Sequence, residues 1–170
     1  MELTLRPGAR DPMQALGDAL RDVFSPLILA ITTAMCTSFK KELMTATHNL
    51  SAGGHNINLA LFDATATMDA STTSYSGANE IANGSGYTTG GKTLTNCTPV
   101  TSGTTAYADF DDAVWTGSTF TARGAQIFNK DAANKSIGVF DFGSNIPVVA
   151  GNFTITFPTA NATAAVLRIT

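Results

Sequence analysis

Charge is what this chain has least of. Among its 170 residues, 10 are Lys or Arg and 13 are Asp or Glu, so charged side chains make up 14%, well below the roughly one quarter of an ordinary globular chain. The formal net charge of −3 offers phosphates no basic field, which argues against nucleic acid as a partner. Cysteine is scarce too. Cys36 and Cys97 stand far apart and fit no metal-ligand spacing, so each reads as a small buried hydrophobe and not as half of a disulfide. With only His48 and His55, a catalytic triad or a histidine-rich metal site has little to draw on. A membrane span is missing as well. The run from Val23 to Phe39 carries no charge, but Thr32, Thr33, Thr37 and Ser38 dilute it, leaving an apolar core shorter than the roughly 20 residues a span requires. Asp18 and Asp22 stand where a signal peptide would be basic.

What the chain has in abundance is Thr, Ser, Asn, Ala and Gly, the composition of short polar-faced strands and turns. Its length suits one domain able to bury a core without staples. Six Asn-x-Ser/Thr triplets begin at Asn49, Asn83, Asn96, Asn134, Asn152 and Asn161; in a chain this rich in Ser and Thr they read as strand and turn residues.

The N-terminal part reads as helical. Residues 1–10 lack a periodic pattern and suit an extended arm. Asp11-Pro12 pairs an N-capping carboxylate with an imino acid preset for the first helical position. Met13, Leu16, Leu20 and Val23 then step by three and four, and Leu27 continues them, the spacing of a bundle seam. Ser25-Pro26 repeats the start signal, so a second helix is expected from Pro26 to about Thr47 through Ile28, Ile31, Met35, Phe39 and Leu43. An uncharged helix of this kind suits burial between subunits. Met13, Leu16, Leu20, Val23, Leu27 and Ile31 are the candidate assembly contacts.

From Asn49 the texture changes to alternating strands. Asn56 to Phe62 places Ile57, Leu59 and Leu61 on one face, and Lys92 to Val100 is a second strand. The segment Tyr107 to Phe128 holds the only tryptophan. There Tyr107, Asp109 and Asp111 oppose Ala108 and Phe110, Trp115 falls on a turn, and Phe120 to Phe128 alternates again, which predicts a long hairpin with Arg123 near Asp109, Asp111 and Asp112. Ser136 to Phe142, Phe153 to Phe157 and Ala165 to Thr170 complete the set. Short strands at this spacing, without a βαβ pattern, predict a mainly β fold: an antiparallel β-sandwich, jelly-roll or Ig-like, over 48–170, with an N-terminal helical extension over 1–47.

No catalytic, cofactor or metal site is expected. His48 and His55 flank a loop without a third ligand nearby. Asp109, Asp111 and Asp112 could hold Ca²⁺, but alternation sends Asp112 to the other face, and no glycine-bearing calcium loop follows. Gly84-Ser85-Gly86 and Gly90-Gly91-Lys92-Thr93 miss the Walker spacing and precede no helix, so they read as turn glycines.

A run of short motifs in order adds a resemblance. Ser38-Phe39-Lys40-Lys41-Glu42-Leu43, His48-Asn49, Asn58 to Phe62, Ala64 to Ala70 and Thr73-Ser74-Tyr75 resemble the opening of small structural proteins of tailed bacteriophages. Asn79-Glu80-Ile81, Gly84, Gly86-Tyr87-Thr88, Gly90-Gly91, Asp109 to Asp112, Trp115, Phe120 to Ala125 and Asp141 to Ser144 continue the likeness. It spans about Ser38 to Thr170 and leaves residues 1–37 outside. The resemblance implies a virion structural protein, first of all a capsid decoration or cement protein. Such a protein would form a homo-oligomer, most plausibly a trimer, on the outer capsid surface, with the major capsid protein or other virion proteins as partners and no enzymatic activity. A head fibre, turret or tail component with Ser71 to Gly91 facing the host is a second reading. A carbohydrate-binding module built on Trp115, Tyr75 and Tyr87 is a third, although Trp115 beside Phe110 and Phe120 suits core packing better.

Overall fold

The computed structural model describes residues 30–170. The elements run β1 Ala34–Met35, α1 Thr37–Met44, β2 Ile57–Phe62, β3 Lys92–Thr93, β4 Val100–Ser102, β5 Thr105–Ala108, β6 Ala113–Asn129, β7 Lys135–Ile155 and β8 Leu167–Ile169. They build a five-stranded sheet in the order β1-β7-β6-β2-β3 and a three-stranded sheet in the order β4-β5-β8. Every strand pair is antiparallel. The mainly β expectation therefore holds, with two antiparallel sheets.

One cluster of buried side chains draws on both sheets. Ile57, Leu59, Leu61, Ile127, Phe128, Ile137 and Val139 come from the larger sheet, and Ala108 and Leu167 from the smaller. β2 is buried along its whole length: β6 pairs along one edge, and on the other β3 meets Asn58 and Leu59 while Glu80 bridges to Phe62 and the Ile81 N–H donates to Leu61 O. Each large apolar side chain fully buried here stabilises the fold by roughly 1.5–3 kcal/mol. Gly91 shows how tightly β3 approaches. Its φ is +68°, and a Cβ there would run into the Leu59 carbonyl, so only glycine serves.

The long hairpin differs from the expected one. Residues Ala113 to Asn129 form a single strand in which Trp115, Thr116, Gly117 and Ser118 are strand residues. A bulge between Trp115 and Ser118 absorbs the turn signal, with Gly117 at φ +60°. The partner is β7, joined through 130–134, and not the segment at Tyr107. Likewise Ser136 to Phe142 and Phe153 to Phe157 fall largely in one strand, β7, which ends at Ile155. Gly143 and Gly151 sit at irregularities of the ladder, whereas Pro147 pairs in register with Thr121 in a stretch where no further described strand flanks β7.

The expected helix from Pro26 to Thr47 shortens to α1, and its described N-terminal part is extended. Ala34 and Met35 pair with Val139 and Gly138, while the Thr32 N–H donates to Met68 O at 2.8 Å. Sheet pairing here outweighs a helical spacing that Thr32 and Thr33, both β-branched, support poorly. Phe39 and Glu42 form the buried face of α1. The helix ends because Ala46 turns left-handed at φ +53°, with the Thr47 N–H reaching Glu42 O at 3.0 Å and the Ala46 N–H reaching Leu43 O at 3.2 Å, a Schellman close. Since β1 joins the larger sheet and α1 packs on β7, a boundary at residue 47 would cut through one packed unit. The helix expected from Pro12 to Phe24 lies outside the described residues.

Candidate assembly surface

At the turn end of the β6–β7 hairpin, Asn129 organises a polar knot. Its Oδ1 accepts the Asp131 and Ala132 N–H groups, both at 3.1 Å, an Asx arrangement that shapes the turn. The amide orientation is thereby set, and Nδ2 donates to His48 Nδ1 at 3.0 Å and His55 Nδ1 at 2.9 Å. Both imidazoles must offer a lone pair at Nδ1, which leaves the proton of the neutral ring on Nε2. His48 Nε2 then donates to Glu42 Oε2 at 2.8 Å, and Lys135 Nζ donates to Glu42 Oε1. Burial pushes the Glu42 carboxyl up, but the Lys135 and His48 donors outweigh it and hold the group below its ordinary value. With both His48 nitrogens engaged and its side chain fully buried, this cluster ties α1 to the turn.

A second knot holds 71–91 to the sheet. Glu80 Oε1 accepts the Tyr87 hydroxyl at 2.7 Å and the Gly90 N–H at 2.8 Å, and Oε2 accepts the Tyr75 hydroxyl at 2.5 Å. The Tyr87 oxygen accepts the Leu61 N–H at 2.9 Å. Burial first, and then the Glu80 carboxylate, push both tyrosine hydroxyls far up. Trp115 and Tyr87 are 5% and 2% exposed and lie 6.1 Å apart, nearly parallel. Tyr75 stacks on Phe128 at 4.2 Å. Trp115 and Tyr87 pack in the core and offer a sugar no open face, while Tyr75 is half-buried with one face stacked on Phe128.

The remaining sequence candidates separate. Asp111 Oδ2 accepts from Thr95 at 3.1 Å and from Asn96, Asp112 Oδ1 accepts the Phe157 N–H at 2.9 Å, and burial raises the Asp109 carboxyl. Arg123 pairs with none of them. Because Gly124 stands opposite Asp141, the Arg123 guanidinium meets the Asp141 carboxylate at 2.7 and 3.1 Å. This bidentate pair, joined by the Gly143 N–H at 2.9 Å, holds Asp141 below the ordinary carboxylate range. Cys36 and Cys97 are free and buried, as expected, and burial pushes the Cys97 thiol up to about 11. Of the six candidate assembly contacts, Ile31 is 2% exposed in the chain's own core, against Gly124; Met13, Leu16, Leu20, Val23 and Leu27 lie outside the described residues.

Among the described residues, it is the outer edge of the far half of the hairpin that stays unpaired. Over Lys135 to Asp141 the outer edge of β7 is occupied. The Ser136 N–H donates to Thr73 O, the Cys36 N–H to Ile137 O, β1 pairs with Gly138 and Val139, and the Asp141 N–H donates to Thr33 Oγ1. Beyond Asp141 no described strand pairs with that edge, and β6 loses β2 once past Gly124. Between these points Ala122 pairs with Ile146 and Gly124 with Asp141, so the ladder carries a wide bulge at 142–145, where Gly143 turns to φ +78°. The far half is a two-stranded ribbon, an arrangement that needs packing partners to be stable.

One side of the ribbon has such a partner in Tyr87, which meets Phe120 and Trp115, while Phe153 packs on Phe120 and Phe142. Its flank is a groove of about 530 Å³ lined by Phe142, Ile146, Pro147, Val148, Phe153 and Ile155, among others. A second groove of about 380 Å³ shares Phe142 and Ile155 and runs on past Phe140, Phe157 and Val166. Ile146 is 37% exposed and Val149 79%. The signal for this surface was present in the sequence as the uncharged run from Phe142 to Leu167. No family model matches the chain, and neither a curated protein nor a solved structure is similar to it.

Proposed function

We propose that this chain is a structural protein of a tailed-bacteriophage virion, acting as a capsid decoration or cement protein. In this reading the two sheets are the layers of an antiparallel β-sandwich, and the protein sits as a homo-oligomer on the outer capsid surface, bound to the major capsid protein or other virion proteins. The observation that carries it is the far ribbon: a grooved surface lined mostly by apolar side chains, with no charge from Ala113 to Ala122 or from Phe142 to Leu167, and with Asp141, paired to Arg123, at the second groove. Contiguous exposed apolar surface of this kind marks contact with other macromolecules. Each contact can be modest, because repetition over a lattice multiplies it. The motif likeness to small phage structural proteins agrees with this and is independent of it.

Cryo-electron microscopy of intact particles from the source phage tests the reading. Copies of this chain spread over the icosahedral shell are the expected result. Density confined to one vertex, the neck or the tail would transfer the protein to a head-fibre, turret or tail role, with 71–91 as the host-facing loop. Particles without the chain would overturn the virion reading.

A further inference from the structure

We propose that residues 23–29, which precede the described residues, fill the groove along the flank of the far ribbon in the same copy of the chain. The direction of β1 carries the inference. Met35 pairs with Gly138 and Ala34 with Val139, and the Thr33 hydroxyl accepts the Asp141 N–H at 2.8 Å. Ile31 packs against Gly124, the β6 residue paired with Asp141. Followed towards its N-terminus, the chain thus runs along β7 in the direction of Phe142. Ala30 delivers the preceding residues at the junction where, among the described residues, the outer edge of β7 loses its strand partner.

The groove begins at the same place. Every residue lining it, from Phe142 to Ile155, belongs to β7 and none to β6, so it lies on the β7 side of the ribbon. The second groove meets it at Phe142 and Ile155 and is also lined by Thr33, which makes the mostly apolar surface continuous from the start of the described residues to Val148. The stretch Val23-Phe24-Ser25-Pro26-Leu27-Ile28-Leu29 carries no charge and is mostly apolar. Extended, it reaches at most about 25 Å, roughly the rise of the strand residues from Phe142 to Val148. Tethered at Ala30, it meets the groove at an effective concentration on the order of millimolar, which an untethered partner matches only when equally concentrated. Pro147 has no N–H to offer a further strand, so the contact is side-chain packing in the groove and not an added ladder. This contact is independent of the assembly reading above: Val149, 79% exposed and lining neither groove, remains for partners when the flank is filled.

The test uses the full chain. Leu27→Cys combined with Val148→Cys is oxidised mildly in dilute solution, and the bridged peptides are identified by mass spectrometry; the native Cys36 and Cys97 are both buried. A bridge between positions 27 and 148 within one chain is expected. Leu27→Cys combined with Val100→Cys, on the smaller sheet, is expected to give none. Hydrogen exchange supplies the second arm. In Leu27→Asp the amides from Asn145 to Val149 are expected to exchange at least roughly tenfold faster than in the unaltered chain, while those of Leu59 to Leu61 keep their rates and show the core intact. Should the core rates rise too, the cysteine pairs decide alone. A 27–148 bridge formed only between copies, no bridge at all, equal bridging to position 100, or unchanged exchange with the core intact would each overturn this contact. None of those results bears on whether particles contain the chain, so the virion reading stands or falls separately on the microscopy.

Discussion

The same two strands live in two environments. In the near half of the hairpin, Gly124 to Asn129 and Lys135 to Asp141 are flanked by β2 on one side and by β1 and 73–75 on the other. Phe128, Ile127, Ile137 and Val139 are fully or almost fully buried there. In the far half, Ala113 to Ala122 and Ile146 to Ile155 have only each other as strand neighbours among the described residues, and Ile146 and Val149 are exposed. The difference teaches that burial in this molecule is deepest where neighbouring segments cover both edges, whereas among the described residues the outer edge of the far half has no strand partner.

Truncating a core side chain in each half tests this most strongly. Phe128→Ala is expected to cost about 3–5 kcal/mol, the usual range for a fully buried aromatic. Val148→Ala, half-buried in the ribbon, is expected to cost about 1 kcal/mol. Urea unfolding of the two variants under identical conditions measures both, and equal costs would erase the distinction between the halves.

Glycine substitutions sharpen it on the backbone. A Cβ at Gly124 would collide with the Phe140 carbonyl and stand 2.6 Å from Ile31 Cδ1, so Gly124→Ala is expected to destabilise by roughly 1–3 kcal/mol through overpacking. At Gly143 there is open space but φ is +78°, and Gly143→Ala carries only the left-handed strain of about 1 kcal/mol. Thermal unfolding would rank them, and a larger effect at Gly143 would place the critical packing at the bulge.

The smallest effect concerns pH. Glu42 in the near half and Asp141 at the junction are both held below their ordinary values of 4.5 and 3.8. A carboxyl depressed by folding adds stability that is fully present above its unfolded pKa and is lost as pH falls through the folded one. The midpoint of thermal unfolding is therefore expected to decline below about pH 4.5, and Glu42→Gln should flatten that decline. Asp109 acts in the opposite sense, since its raised value means that protonation relieves a cost. A midpoint that rose on acidification would show that Asp109 dominates.

How much of this was legible can be traced residue by residue. The alternation in Asn56 to Phe62 marked β2, and the Thr-, Asn- and Gly-rich texture marked a mainly β fold. Trp115 was recognisable as a packing residue from its aromatic neighbours. The partner of Arg123 was not legible, because Asp109, Asp111 and Asp112 are nearer in sequence and only the hairpin register brings Asp141 alongside. His48 and His55 looked like loop residues; Asn129, 81 and 74 positions away, joins them. Glu80 carried no signal that two tyrosines would converge on it.

By itself, then, the sequence determined the class of the fold: period-2 patterning, β-branched residues and turn-forming glycines are local properties that act within a few residues of chain. It also determined the scarcity of charge and so the kinds of partner the surface can accept. Tertiary structure alone decided where the long strands pair, that residues near Ile31 and Ala34 become extended, and which half of the hairpin stays open. Those outcomes depend on competition among distant segments for the same strand edges and the same core, and such competition has no local signature.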